Sequence, residues 1–489
     1  MKIAFSVLAV FVAVAAQAAS IGKVIVRQQW PWSTDIKVEY LLSGVTEPVD
    51  VSVSCFDGET LLPSDVMHNA ISGDLRSQTL DGVKTITIDP VKAFGEGKAK
   101  IENFRVELTV GPADPDNDEV IYRIYDLSDG SFEDVTRGDL LSGKYGDYET
   151  DFSRIGKGFN TTLKDVLIWT GVTNNPAYKT THMVMRKIPA KGVVWTMGSP
   201  EGEVGRGYSY MGKREDQHKV KLMQDYFIGV FPMTQAQLKN SGFSQYGTTN
   251  PSAFRGAPDS DFRPAENISY AYYMRGWESL KGAKTGENVN WPTNSYRHDV
   301  YNGRATYRFR TRMKGVPFDF PTDAQWEFAC RAGTTNALYS GKEVGVASSS
   351  TPSVTLEELA WTRFSDYSSA AGGTNQTMVV GLKKPNAFGL YDLYGNVSEW
   401  CLDWFSYDLT GGDPEAVQEE PNGATASGGG NSDDRVIRGG DYTGSAYYQR
   451  SAYRNAGRAN RYTNFETGST PVNTTGIRWV CPVASDWMD

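Results

Sequence analysis

Thiols and imidazoles are scarce in this chain: its 489 residues include four cysteines and four histidines. Cys55, Cys330, Cys401 and Cys481 form no CxxC pair. His68, His182, His218 and His298 fall in no HExxH frame and in no Cys/His spacing of the zinc type. These absences exclude the common zinc motifs and leave no visible paired-His/carboxylate site for iron. Basic clusters are missing as well. With a formal net charge of −9 and no Lys/Arg footprint to neutralise phosphates, a nucleic-acid partner is not expected. Beyond the N-terminus no apolar run is long enough to cross a bilayer, and no internal repeat or low-complexity tract is present.

What the chain does have begins with "MKIAFSVLAVFVAVAAQAAS". One lysine, an apolar run and the small-x-small pattern Ala16-Gln17-Ala18 read as a signal peptide covering residues 1–18. The mature protein is then expected to be secreted, periplasmic or at the cell surface, where disulfides are permitted and no membrane span remains. At this length two or three domains are expected. "GKVIVRQQWPWSTDIKVEYLLSG", "VDVSVSCFDG", "VKTITIDP" and "ENFRVELTVGP" alternate apolar and polar residues between Gly, Pro and Asp turns. That period of two predicts an all-β, immunoglobulin-like sandwich which, with its connector, fills residues 19–175.

From residue 176 to 489 glycines and aromatics become dense and the loops long. Two helices are predicted: "TDAQWEFACRAG", capped by Thr322 and closed by Gly333, and "NISYAYYMRGWESL", capped at Asn267 or Ser269. Seven motifs then occur in order: "WTMGSPEGEVGR", "HKVKLMQDYFIGVFPMTQAQ", "RPAENISYAYYMRGW", "FPTDAQWEFACRAGTT", "KPNAFGLYDLYGNVSEWCLDW", "RVIRGGDY" and "TGIRWVCP". Over about residues 183–483 this resembles the formylglycine-generating enzyme, or sulfatase-modifying factor, family. The resemblance implies an α+β fold overall: a C-type-lectin-like module rich in long loops behind the β-sandwich.

The family's working members oxidise a sulfatase cysteine to formylglycine with oxygen and a copper(I) ion held by two cysteines. Those follow the second glycine of "RGG" by four and nine residues, which here are Gly444 and Gln449. Copper(I) is soft and needs thiolate or thioether ligands, so copper and the oxidase chemistry are not expected. An oxidase or related metal-dependent oxygenase with atypical ligands is the alternative. The resemblance further implies a Cys330–Cys481 disulfide, which would stabilise by roughly 4–5 kcal/mol in the chain-entropy picture. It also implies a calcium site at Asp392, Gly395, Val397 and Glu399, where two carboxylates flank a sharp turn.

The stretch "RVIRGGDYTGSAYYQRSAYRN" packs tyrosine and arginine among small polar residues. Such mixtures suit contact surfaces, and they resemble the variable C-terminal segments of retroelement-diversified binding proteins that share this fold. Asp441, Tyr442, Ser445, Tyr447, Tyr448, Arg450, Tyr453 and Asn455 are the expected ligand-binding residues. The expected partner is a protein, a peptide or a glycan outside the cytoplasm. The opposing reading is that these tyrosines and arginines interlock inside the fold.

Overall fold

The structure is a computed structural model. It describes residues 19–29, 33–67, 70–95, 103–151, 166–206, 215–242, 249–270, 305–345, 351–365, 376–409, 413–419, 434–458 and 474–483. The expected signal peptide and most of the second expected helix lie outside those residues. Contacts divide the chain into two compact units. One comprises Met1–Glu119 and Thr136–Asp147, the other Val120–Val135 and Tyr148–Asp489. The division therefore falls ahead of the expected residue 175. The cause is backbone pairing: strand Val120–Asp126 bonds antiparallel to His182–Ile188, which draws its hairpin into the second unit.

Among the described residues the first unit has seven strands: β1 (Ser20–Gln28), β2 (Ile36–Ser43), β3 (Val49–Asp57), β4 (Thr60–Leu61), β5 (Ile71–Gly73), β6 (Gly82–Ile88) and β7 (Phe104–Pro112). They form two antiparallel sheets, ordered β1-β2-β6-β5 and β4-β3-β7. On β2 the alternation is clean, with Ile36, Val38, Tyr40 and Leu42 buried and the residues between them less so. They join Val49, Val51 and Cys55 of β3 and Ile86 and Ile88 of β6 in one core. At about 1.5–3 kcal/mol for each fully buried large apolar side chain, these positions fix which face of each strand points inward.

In the second unit a five-stranded sheet runs in the order Val480–Pro482, Tyr226–Gly229, His182–Ile188, Val120–Asp126, Phe132–Thr136. A four-stranded sheet places Ser398–Trp404 between Asp434–Arg438 and Thr475–Gly476, with Asn455–Arg458 at the edge beyond Asp434–Arg438. The expected helix forms over Asp323–Arg331. Thr322 accepts from the Gln325 N–H while the Gln325 side chain accepts from the Thr322 N–H, a reciprocal cap. Left-handed Ala332, rather than Gly333, ends it. Every residue of this helix is buried, its three acids and bases included, so it is a charged pillar inside the unit.

The cysteine expectation is corrected here. All four cysteines are free thiols and all are buried. Cys330 faces the core that contains Trp326 and Tyr394, its Sγ 3.8 Å from Ser451 Oγ. Cys481 faces a second core, 3.9 Å from Met185 Sδ and 3.8 Å from the Tyr125 hydroxyl. Cys481 keeps the face that Trp479 occupies, as a two-residue step on a strand requires, but that face is turned away from Cys330. Burial pushes both thiols up to about 12, so neither is a ready thiolate.

Candidate functional site

The site grows from the turn after strand Asp434–Arg438. Gly439 and Gly440 both take positive φ, 86° and 67°. A Cβ on Gly439 would stand 2.9 Å from the Leu393 carbonyl, so the double glycine is required where the chain passes over the Tyr394-Gly395 turn. The following segment folds back on itself. Gly444 N–H donates to the Asp441 carbonyl (2.9 Å), and the Gln449 side-chain Nε2 donates to that same carbonyl (2.9 Å).

Positions 444 and 449 therefore lie side by side. A Cβ added to Gly444 would sit 2.8 Å from Gln449 Nε2. The backbone thus brings together the two places where the resembled family carries its copper cysteines, and here the pair is a bare Cα and an amide. Gln449 is fully buried, and its Oε1 has no hydrogen-bond partner. Cys330 and Cys401 lie in one hydrophobic core and Cys481 in another. The residues present do not fit copper(I).

Around that pair is a polar rim. The Asp441 carboxylate accepts from Ser398 Oγ (3.2 Å), Thr474 Oγ1 (2.6 Å), Thr443 N–H (2.8 Å) and Thr443 Oγ1 (2.5 Å). On the other flank Glu266, wholly buried, accepts the Ala253 and Phe254 N–H groups at 3.1 and 3.3 Å. That holds the Phe254 ring edge-on to Tyr442, centroids 5.6 Å apart. Burial pushes the Glu266 carboxyl up to about 7, despite the two N–H bonds and nearby Arg255. It also pushes the Tyr442 phenol up, with Glu266 adding to the effect.

The expected ligand residues separate sharply. Tyr442, Ser445, Tyr447, Arg450 and Tyr453 are buried, whereas Asp441, Tyr448 and Asn455 keep partial exposure. The arginines are not on display. Arg450 is 0 % exposed and bonds Glu215 with two nitrogens (2.7 and 2.9 Å) while also pairing with Glu203. Arg438 spans Asp323 and Glu327 of the helix, and Arg454 takes the other Asp323 oxygen. Tyr447 covers Gly205, where an added Cβ would meet its ring at 2.8 Å. These arginines are paired and hydrogen-bonded, the condition under which charges taken out of water are tolerated.

Of the four expected calcium ligands, the two carboxylates already have hydrogen-bond partners. Both Glu399 oxygens accept from Arg478 Nε at 2.9 Å, and Oε2 also takes Trp326 Nε1 at 2.6 Å. The same guanidinium bonds the carbonyls of Gly229, Val230 and Tyr391. Asp392 accepts from Gly381 N–H and Asn396 Nδ2, and burial raises its carboxyl pKa. Gly395 and Asn396 form the turn with positive φ. Among the described residues no three Asp, Glu, His or Cys side chains gather as a metal site. As arranged, Arg478 supplies a positive charge to Glu399.

Residues 191–480 match the family described as "Sulfatase-modifying factor enzyme 1-like domain". The chain is 30% identical over 207 residues to "Chaperone protein LppX" of Paenibacillus barcinonensis, covering 38% of this chain and 65% of that protein. It is 31% identical over 219 residues to the "Formylglycine-generating enzyme" of Streptomyces coelicolor, covering 44% and 63%. The chain thus spans somewhat less than two thirds of the length of these curated relatives. Among solved structures, "Treponema denticola variable protein 1" is similar with a TM-score of 0.40 and 24% identity, over 62% of this chain and 95% of that one. PvdO from Pseudomonas aeruginosa gives a TM-score of 0.40 and 21% identity, over 61% and 94%.

Proposed function

The chain belongs to the sulfatase-modifying factor enzyme 1-like family, and on that premise we propose that it is an exported binding protein of the family that has no cysteine-oxidising activity. The observation that carries this is the pairing of Gly444 with Gln449. The fold holds the two metal positions next to each other, yet neither side chain offers sulfur to a cuprous ion. The partner is a protein or peptide segment that lies across the rim formed by Phe254, Asp441, Thr443 and Tyr448, all of which keep exposure. The exposed Thr443 hydroxyl and two aromatic rings suit a chain with both N–H donors and apolar side chains. One relative is named a chaperone, a name that also implies a protein partner. Export is supported by the N-terminal Lys2, apolar run and Ala16-Gln17-Ala18.

For the first unit the proposal is an immunoglobulin-like spacer. Its support is the strand order, since β1-β2-β6-β5 beside β4-β3-β7 follows the A-B-E-D and C′-C-F arrangement.

Two measurements test this. Cuprous titration of the purified chain, then incubation with a cysteine peptide and oxygen, should give neither tight uptake nor an aldehyde; an aldehyde overturns the proposal. A peptide library panned on the immobilised chain should yield binders lost in Thr443→Arg and Tyr448→Ala with unchanged melting. Binders indifferent to both substitutions, or enrichment only on a glycan array, would move the site or the ligand class.

A further inference from the structure

In the first unit, strand β7 ends its sheet. It keeps one unbroken register against β3, from Val49↔Pro112 to Asp57↔Phe104, and among the described residues no strand pairs along its other side. An immunoglobulin-type sandwich carries a further strand there, beyond F. The edge of the other sheet differs, because β1 is broken by a bulge between Gly22 and Ile25, a common way of blunting an edge.

The backbone bonding of β3 shows which groups the β7 edge presents. Val51 donates its N–H to the Leu75 carbonyl at 2.7 Å, and the Cys55 carbonyl accepts from the Leu62 N–H at 2.8 Å. Both residues turn their backbone groups away from β7, so their cross-strand partners Val110 and Val106 exchange no bonds with them. Such pairs alternate with bonded ones in an antiparallel ladder, which adds Leu108, opposite Val53. Val106, Leu108 and Val110 therefore aim N–H and C=O at the open edge. Their side chains pack against the core but stay only partly buried, whereas Val51 and Cys55 opposite are buried. A straight edge strand of nine residues with its ladder groups unmet is a template for another strand.

The sequence of β7 is self-complementary in one register. When two copies of β7 run antiparallel with their outward groups meeting, the two-fold axis can pass at Glu107, Leu108 or Thr109. At Glu107 it sets two carboxylates directly opposite, which is unfavourable. At Thr109 it sets Val106 against Pro112, which has no N–H to give. At Leu108 neither fault arises. Leu108 then faces Leu108 and Val106 faces Val110 on the core side, while Glu107 faces Thr109 and Arg105 faces Gly111 on the outer side. Val106, Leu108 and Val110 each both donate to and accept from the facing strand.

From this geometry we propose that the chain forms a two-fold dimer through β7, joining two β4-β3-β7 sheets edge to edge across Leu108. The contact is isologous and closes at two copies. It does not depend on the partner rim of the second unit.

The test is sedimentation velocity of the full chain over a range of concentrations, with hydrogen exchange read at each. A monomer–dimer equilibrium should appear, and the Val106, Leu108 and Val110 amides should gain protection as dimer forms. Thr109→Glu, at an exposed position, puts a carboxylate opposite Glu107 on both sides of the axis. It should weaken the dimer about two- to thirty-fold with unchanged melting of the dilute monomer, and adding Glu107→Lys should restore the dimer. Leu108→Pro removes an N–H that bonds nothing within the chain and should abolish dimerisation. A chain monomeric at every concentration, or a dimer in which these amides exchange as in the monomer, overturns the proposal. So does a dimer indifferent to Thr109→Glu. A chain that stays monomeric while an added extended peptide protects the same amides also overturns it, assigning the edge to a foreign strand.

Discussion

Replacing Gly444 and Gln449 together by cysteine tests the link between this backbone and the family's metal site directly. Gly444→Cys alone would drive its Cβ to 2.8 Å from Gln449 Nε2, an overlap of the kind that costs about 1–3 kcal/mol. Gln449→Cys removes the obstructing amide. It deletes the bond from Nε2 to the Asp441 carbonyl, a net loss of about 1 kcal/mol, and also deletes the buried, unpartnered Oε1, a gain of similar or larger size. The remaining contact, 3.2 Å to the Asp441 carbonyl, needs a shift of a few tenths of an ångström. The double variant should therefore melt within a few degrees of the parent, and above Gly444→Cys. Competition with a chromophoric cuprous chelator should show one copper(I) held at least about a hundredfold tighter than by the parent, or about 2.7 kcal/mol. Gly444→Ser with Gln449→Ser, equal in shape, should show no such gain. A folded double-cysteine variant that takes up no more copper than the parent would refute the correspondence, and with it the reason for denying this chain the oxidase reaction.

Four further outcomes are expected. Arg438→Met removes the guanidinium that links Asp323 to Glu327 but leaves Asp323 to Arg454 and Glu327 to Arg331, and should cost about 1–3 kcal/mol in urea unfolding; no measurable loss would mean the network is not what holds the helix. The Glu266 carboxyl, raised by burial to about 7, keeps a proton that the unfolded chain has already lost. Its contribution is largest in acid and falls as pH rises from the ordinary carboxylate range to about 7, by about 3 kcal/mol; Glu266→Gln should remove that slope, and identical slopes in parent and variant would contradict it. Maleimide labelling after unfolding in denaturant should count four free thiols, and a reductant should leave the melting temperature unchanged, whereas a Cys330–Cys481 bridge would register as a loss of roughly 4–5 kcal/mol. Adding calcium or a chelator should likewise leave melting unchanged if Arg478 neutralises Glu399; a rise of several degrees with calcium would show that ion displacing the guanidinium.

Local patterns were legible in proportion to how local their physics is. The capped helix at Thr322 was readable because a capping box lies within four residues and its apolar stripe repeats at helical spacing. The alternation on β2 and β3 was readable for the equivalent reason at period two. The adjacency of positions 444 and 449 came from the resemblance, and the fold bears it out because the Gly439-Gly440 turn and the Asp441 carbonyl return the chain onto itself. The burial of the tyrosine and arginine stretch was not readable. Arg450 finds Glu215 across 235 positions and Glu203 across 247, and a composition suited to an exposed contact surface is equally suited to a buried ion-pair lattice.

The amino-acid sequence alone determined that seven ordered motifs would build a lectin-like module of this family, and that no side chain at the two metal positions carries sulfur, because residue identity is the chemistry. Only the tertiary structure decided which arginines are structural and which carboxylates are already taken. It alone kept Cys330 and Cys481 in different cores. Those outcomes depend on which distant groups meet out of water, and the desolvation that makes such meetings decisive exists only once the chain has folded.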